Sequence, residues 1–95
     1  MGMDDIQYLV DHIWDGRSCL SQESDLYHLQ LARWNASLPW APWNCILLTR
    51  EEAEAHAQLA DPAAVYQAAL AGLITRKHVQ AQQKFAALYG RFARA

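Results

Sequence analysis

Two cysteines and four histidines are the side chains of this chain best suited to nucleophilic or metal chemistry. Cys45 together with His56 or His12 could in principle form a nucleophile and its base. No glycine-rich turn presents either thiol, and both cysteines have apolar neighbours in the sequence. We therefore expect Cys19 and Cys45 to be buried, inert and unpaired, as in a protein of a reducing intracellular compartment.

The spacing of the possible ligands argues against a metal site. The chain contains no C-x2-C, H-x3-H or H-E-x-x-H pattern. Its four glycines are widely separated, so no glycine-rich loop is available to cradle a phosphate. The sequence predicts no catalytic, cofactor-binding or metal-binding residues, and we expect the protein not to be an enzyme and to need no cofactor.

The charges are distributed unevenly along the chain. All ten acidic residues lie between Asp4 and Asp61 with only three basic ones, which gives this part a net charge of −7. Residues 62–95 contain five basic residues and no acidic one, a net charge of +5. This asymmetry predicts an acidic partner for the tail, or docking of the tail on its own body. The candidate protein-binding residues here are Arg76, Lys77, Lys84 and Arg91.

Several kinds of partner could meet this basic segment. A sequence pI near 6.0 argues against nucleic acid, and no apolar run is long enough to cross a membrane. A partial IQ-like pattern runs from Val79-Gln80 through Lys84 to Phe92. It departs from the usual pattern at Phe85, where Gly is usual, and at Tyr89. Calmodulin binding through this helix is therefore the alternative function.

Closely spaced tryptophans are the other feature that could bind a protein. Trp34, Trp40 and Trp43 lie within ten residues of one another. Such clusters usually pack into a core, but four tryptophans are hard to bury completely in 95 residues. Tryptophan is also enriched at binding hot spots. We expect a place in the core for Trp40 and Trp43, with a role as interface anchors as the alternative, and therefore keep both as candidate protein-binding residues.

The elements that position these residues are predicted to be helices. Seventeen Ala against four Gly and three Pro favour an all-α fold, a small single-domain bundle of about five short helices. Apolar spacing and capping signals place the first helix at about 5–15 and the second from Ser24 to Trp34. The third runs from the Thr49 capping box to about Leu59. The fourth begins at Asp61-Pro62 and breaks or bends near Gly72, and the last covers about 75–92.

Between the second and third helices, residues 35–48 are predicted to form an extended connector rich in Pro and Trp. Pro39 and Pro42 push their preceding residues out of the helical region. The apolar run Cys45–Leu48 could be a strand, but no other segment suggests a strand partner. We predict one domain over residues 1–95, with a core at 5–60 that contains the connector and basic helices at 61–95.

One string of residues resembles a known family. Trp40-Ala41-Pro42-Trp43-Asn44-Cys45-Ile46-Leu47-Leu48-Thr49, preceded by Arg33-Trp34-Asn35, is similar to the C-terminal region of the IQ motif and ubiquitin-like domain-containing proteins of cilia and flagella. The likeness is good over residues 5–60 and looser beyond them. The IQ motif and ubiquitin-like domain of that family have no counterpart here, and we expect the chain to be a C-terminal fragment of a longer protein.

This resemblance implies a non-catalytic role in the axoneme. It suggests a docking module of a scaffold at the base of the radial spoke, acting in spoke assembly and ciliary or flagellar motility. The implied partners are radial spoke base proteins, with inner dynein arm components as further candidates, and calmodulin stays a candidate only through the partial IQ-like pattern of residues 79–92. We expect no nucleic acid and no membrane partner, while pairing of two copies stays open.

Overall fold

A computed structural model describes the backbone of residues 2–93 and the side chains of residues 2–86. Four helices and a two-stranded sheet make up this part of the chain, so the fold is a small α+β domain. The prediction of an all-α bundle is therefore wrong. In chain order the elements are α1 (Met3–Tyr8), β1 (Leu29–Arg33), β2 (Cys45–Thr49), α2 (Arg50–Ala57), α3 (Pro62–Val65) and α4 (Ala68–Ala93).

The first helix is confirmed to within a few residues. α1 continues without interruption into a π-helical turn, Leu9–Ile13. Its start is held by the Gly2 backbone N–H, which donates to the carboxylate of Asp5 over 3.1 Å. Its end is fixed by Gly16, whose φ of +65° suits a residue without a side chain. The Gly16 N–H reaches back to the Val10 carbonyl over 2.7 Å.

The predicted second helix, from Ser24 to Trp34, is wrong. Only a short 3-10 turn, Leu26–His28, forms there, and β1 follows it directly. β1 pairs with β2 in an antiparallel sheet in which Leu31 lies opposite Leu47. Apolar residues in this segment fit a helical period and a period of two almost equally well, and pairing with the apolar run in β2 selects the strand.

The predicted connector is shorter than expected, because residues 45–48 belong to β2. A loop over 35–44 remains, and a 3-10 turn, Pro42–Asn44, completes it. Asn44 is buried and holds this loop together. Its amide nitrogen donates to the carbonyls of Asn35 and Pro39, both at 3.1 Å, while its oxygen accepts from the Asn35 N–H at 2.9 Å.

The capping box predicted for the next helix, α2, is confirmed. The Thr49 hydroxyl accepts from the Glu52 N–H at 3.2 Å, and the Glu52 carboxylate accepts from the Thr49 N–H at 2.9 Å. Glu52 also accepts from the Ser18 hydroxyl, which ties α2 to the loop after α1. Asp61 occupies the N-cap position of α3 and Pro62 its first position as expected, but the Asp61 side chain makes no capping hydrogen bond.

The last helix differs from the prediction at its beginning. α4 runs unbroken from Ala68 to Ala93, so the predicted break or bend near Gly72 and the separate last helix from about Thr75 are wrong. A glycine in a helix interior costs only about 1 kcal/mol relative to Ala. The packing of Ile74, Ala81 and Phe85 into the core offsets that cost, because all three are buried.

The core lies between the sheet, the N-terminal helix and α4. Every residue of β2 is buried, whereas β1 is only partly covered. The side chains of Leu9, Ile13, Trp14, Ile46, Leu48 and Ile74 form the centre of this core. Within the described residues, no helix is both long enough and apolar enough to cross a membrane.

Candidate protein-binding groove

The structure gives the cysteines and histidines structural positions. Cys19 and Cys45 are both free and buried, as predicted. Burial raises the pKa of the Cys19 thiol to about 12 and that of Cys45 to about 11, so neither forms a thiolate at neutral pH. Among the side chains of residues 2–86, no group of three or more His, Cys, Asp or Glu could hold a metal ion.

His56 is not a partner for Cys45. Its Nε2 lies 3.0 Å from the carbonyl oxygens of both Arg33 and Trp34, so it carries the hydrogen and donates. The Tyr66 hydroxyl donates to Nδ1 over 2.8 Å. The rings of Trp34, His56 and Tyr66 also stack on one another, with centroids 5.6–5.8 Å apart. His56 therefore joins α2, the end of β1 and the segment after α3.

The predicted basic residues of α4 partly contact the acidic body. The Lys77 ammonium lies 3.5 Å from the Asp15 carboxylate. The Lys84 ammonium lies 4.8 Å from the centre of the Tyr8 ring, in cation–π geometry. Arg76 is exposed, and the side chain of Arg91 lies outside the described residues. The tail was expected either to bind an acidic partner or to dock on its own body. The contacts of Lys77 and Lys84 fit docking on the body.

The two candidate tryptophans have different environments. Trp43 is half-buried and packs against the core. Trp40 remains 53 % exposed. The Arg33 guanidinium lies 5.7 Å from the centre of the Trp40 ring, and its Nη1 donates to the Leu38 carbonyl over 3.2 Å. These contacts and the Asn44 bonds position Trp40 beside β1.

Trp40 lies at one end of an open groove between α1 and β1, here called the β1 groove. Its volume is about 620 Å³. The lining is mainly apolar. It comes from α1 and the π-helical turn after it, the 3-10 turn Leu26–His28, both strands and the loop over 35–44: Met3, Ile6, Val10, Leu26, Leu29, Leu31, Trp40 and Leu47. Met3 and Leu26 are 82 % and 57 % exposed, so the wall of this groove is part of a solvent-facing apolar patch.

A second cavity lies across the strand, on the side of α2, and is called the α2 cavity. Its volume is about 410 Å³, and Trp40 lines it as well. Polar groups are more prominent here, since Asn35, Ser37 and His56 contribute to the wall. The two cavities therefore flank β1, one on each face of the sheet.

Between these cavities runs the free edge of β1. The Trp34 N–H donates to the Asn44 carbonyl at 2.8 Å, which continues the register of the sheet. Because antiparallel pairs alternate, Gln30 and Ala32 bond to β2 while Leu29, Leu31 and Arg33 direct their backbone groups outward. The His56 ring donates to the Arg33 carbonyl, and the Leu29 N–H donates to the Leu26 carbonyl. Within the described residues, neither the N–H nor the C=O of Leu31 has a hydrogen-bond partner.

Sequence reasoning missed most of this groove. It favoured the core for Trp40, which is 53 % exposed in the structure, and it placed Leu29 and Leu31 on a helix. The available signal for a strand was the spacing of Leu29 and Leu31 two residues apart, with the polar Gln30 between them. Met3 and Ile6 gave no signal, because an apolar helix face is usually covered.

The comparison with known proteins agrees with the resemblance. No protein-family model matches the chain. The chain is 40 % identical over 85 residues, which is 90 % of its length, to the mouse (Mus musculus) protein named IQ motif and ubiquitin-like domain-containing protein. The predicted resemblance is confirmed. A match of this length reaches well beyond residue 60, where the likeness was expected to weaken. The chain spans only 11 % of the length of that relative.

Proposed function

We propose that the chain is a docking module of an axonemal scaffold protein, which binds radial spoke base proteins and acts in spoke assembly and motility. The observation that carries a docking role is the β1 groove. It joins an exposed tryptophan, an apolar lining and an unpaired strand edge on one side of a small domain.

The character of the groove supports binding of a protein rather than a small molecule. It is open along its length, and its lining contains a single charged residue, Asp11. Interfaces place aromatic and aliphatic anchors in the centre and polar groups at the rim. Trp40 and Leu31 fit the first role, and Gln7 and Asp11 fit the second.

The ciliary part of the proposal comes from the resemblance of the Trp40–Thr49 string to proteins of cilia and flagella. The matched mouse protein is named for an IQ motif and a ubiquitin-like domain, and the chain corresponds to a small segment of it. A segment with buried, protonated thiols and histidines engaged in structural bonds suits a non-catalytic role in such a scaffold. The proposal of an axonemal location in cilia and flagella rests on that resemblance.

Cross-linking in isolated axonemes tests this proposal. The parent protein in its assembled state should cross-link from the α1 and β1 region to spoke base components. Trp40→Ala should reduce those cross-links while the protein stays folded. Val65→Ala serves as the matched control, because Val65 is 60 % exposed and lies outside the groove. Cross-links that are absent from this face, or unchanged in Trp40→Ala, would contradict the proposal.

Calmodulin binding through α4 is the second candidate, supported by the partial IQ-like pattern and the basic residues on this helix. Val79 is 46 % exposed and would be available. Ala81 and Phe85 are buried in the core, so calmodulin could enclose residues 79–92 only after α4 leaves the body.

Calmodulin titration of the chain, with and without calcium, separates these possibilities. Because release of α4 exposes the core, binding through it should be accompanied by loss of the near-ultraviolet circular dichroism of Trp14. Absence of binding at micromolar concentrations would end this alternative.

A further inference from the structure

We propose that the partner binds by strand addition, as an extended segment of another protein that pairs with the free edge of β1. This inference rests on the proposed docking function and specifies the chemistry of the partner. The segment has apolar residues at alternate positions and a basic residue that reaches Asp11.

The backbone of β1 is the first argument. The outward N–H and C=O of Leu31, together with the Leu29 carbonyl and the Arg33 N–H, form no hydrogen bond to the described residues. These groups repeat every second residue, which is the pattern that an added strand requires. Neither a helix nor a globular surface would satisfy them in sequence.

The two cavities are the second argument. Successive side chains of an added strand point to opposite faces of the sheet. Residues opposite Leu29 and Leu31 would enter the apolar β1 groove, and those between them would enter the smaller, more polar α2 cavity. A segment that alternates large apolar with small polar side chains fits both faces at once. Trp40 lines both cavities and would contact this segment.

The charge around the groove distinguishes a different protein from a second copy. α1 carries Asp4 and Asp5, and Asp11 lines the groove without a basic neighbour in its wall. Two copies paired through β1 in antiparallel fashion would be related by a two-fold axis perpendicular to the sheet, which places both acidic N-terminal helices on the same face of the joined sheet. Like charges would then oppose each other, whereas a partner with a lysine or arginine gains an attraction.

A synthetic peptide tests strand addition directly. The probe is a short peptide that alternates Val with Thr and begins with Lys, titrated into the 95-residue chain. We expect saturable binding, a change in tryptophan fluorescence that is lost in Trp40→Phe, and slowed hydrogen exchange of the Leu31 and Arg33 amides. Methylation of the peptide amides that face β1 should weaken binding by about tenfold or more, because it removes hydrogen bonds but keeps the side chains.

Two further variants make the result specific. A peptide of the same composition with its Val residues grouped together should bind about tenfold less well or not at all, since it cannot place them on one face. Asp11→Asn should weaken the Lys-containing peptide and leave a peptide that begins with Gln unaffected. Glu54→Gln, on the exposed side of α2, is the matched charge control.

The possible results separate this inference from the proposed function. No binding at millimolar peptide, or binding without protection of the Leu31 amide, overturns strand addition. The docking function would survive if Trp40→Ala still reduced cross-linking in axonemes. Concentration-dependent pairing of the chain alone, with protection of the same amides, would also overturn the inference, because the occupant would be a second copy.

Discussion

The two edges of the sheet are treated in opposite ways. At the outer edge of β2, the Cys19 N–H bonds to the Leu47 carbonyl and the His78 ring bonds to the Cys45 carbonyl, both at 2.9 Å. The Thr49 N–H bonds to Glu52. At the outer edge of β1, Leu31 has no such partner among the described residues, and both flanking cavities are open.

This difference shows how a small domain can use one strand for its core and leave the other strand accessible for binding. β2 is the buried centre that α4 and the N-terminal segment cover, so its sequence is fixed by packing. β1 is stabilised from one side only. An exposed edge risks nonspecific pairing, and natural proteins normally protect it. Here its short length and the half-exposed Trp40 limit that risk while they leave the edge accessible.

The largest effect expected concerns the packing of the buried strand. Leu48→Ala should lower the free energy of unfolding by about 2–5 kcal/mol, because Leu48 is fully buried and its loss leaves a cavity. Leu26→Ala, in the wall of the β1 groove, should change it by less than about 0.5 kcal/mol. Urea denaturation measures both. Equal losses would show that the groove is part of the core.

The next effect concerns the closed end of β1. His56→Ala removes the donor to the Arg33 and Trp34 carbonyls and the acceptor for the Tyr66 hydroxyl. We expect a loss of about 1–3 kcal/mol in thermal or urea unfolding, as for other buried polar groups left without a partner.

Two companions calibrate this variant. Tyr66→Phe should cost about 0.5–1.5 kcal/mol, since it removes one of these bonds. Gln58→Ala, an exposed change on the same side of the molecule, should be close to neutral. If His56→Ala were as stable as Gln58→Ala, His56 would not hold the end of the strand.

A smaller, pH-dependent effect is expected at the edge of β2. Burial lowers the pKa of His78 below its ordinary value of 6.5, although its bond to the Cys45 carbonyl partly opposes this. The unfolded chain therefore binds the proton more readily. The stability that His78 contributes should be present above pH 6.5 and decline as the pH falls toward the pKa of the folded state.

Denaturation at a series of pH values measures this decline. His78→Gln retains a donor for the Cys45 carbonyl and should flatten the curve between pH 6.5 and the acid limb. An identical pH dependence in wild type and His78→Gln would contradict the assignment.

Local signals predicted part of the fold. The Thr49–Glu52 capping box, the Asp61-Pro62 start and the stop at Gly16 act within a few residues, so the sequence alone shows them. The confirmed burial of both cysteines likewise followed from their apolar neighbours. Trp40 was selected as an anchor candidate on residue type, and that role stays a prediction.

Non-local pairing explains what was missed. Leu26–Trp34 satisfies two periodicities, and only contact with Cys45–Thr49 decides between them. Once the first segment was taken as a helix, the second lost its partner and the fold became all-α. Asn44 gave no warning of its bonds to Asn35 and Pro39, because these depend on the closed loop. The groove could not be foreseen without the sheet.

Amide hydrogen exchange of the free chain tests the contrast between the two edges most directly. The Leu31 N–H should exchange through local access to solvent, well before global unfolding. The Ala32, Cys19 and Thr49 amides should exchange only on global unfolding, because they bond to β2, to the Leu47 carbonyl and to Glu52. A Leu31 amide as strongly protected as that of Ala32 would contradict the account.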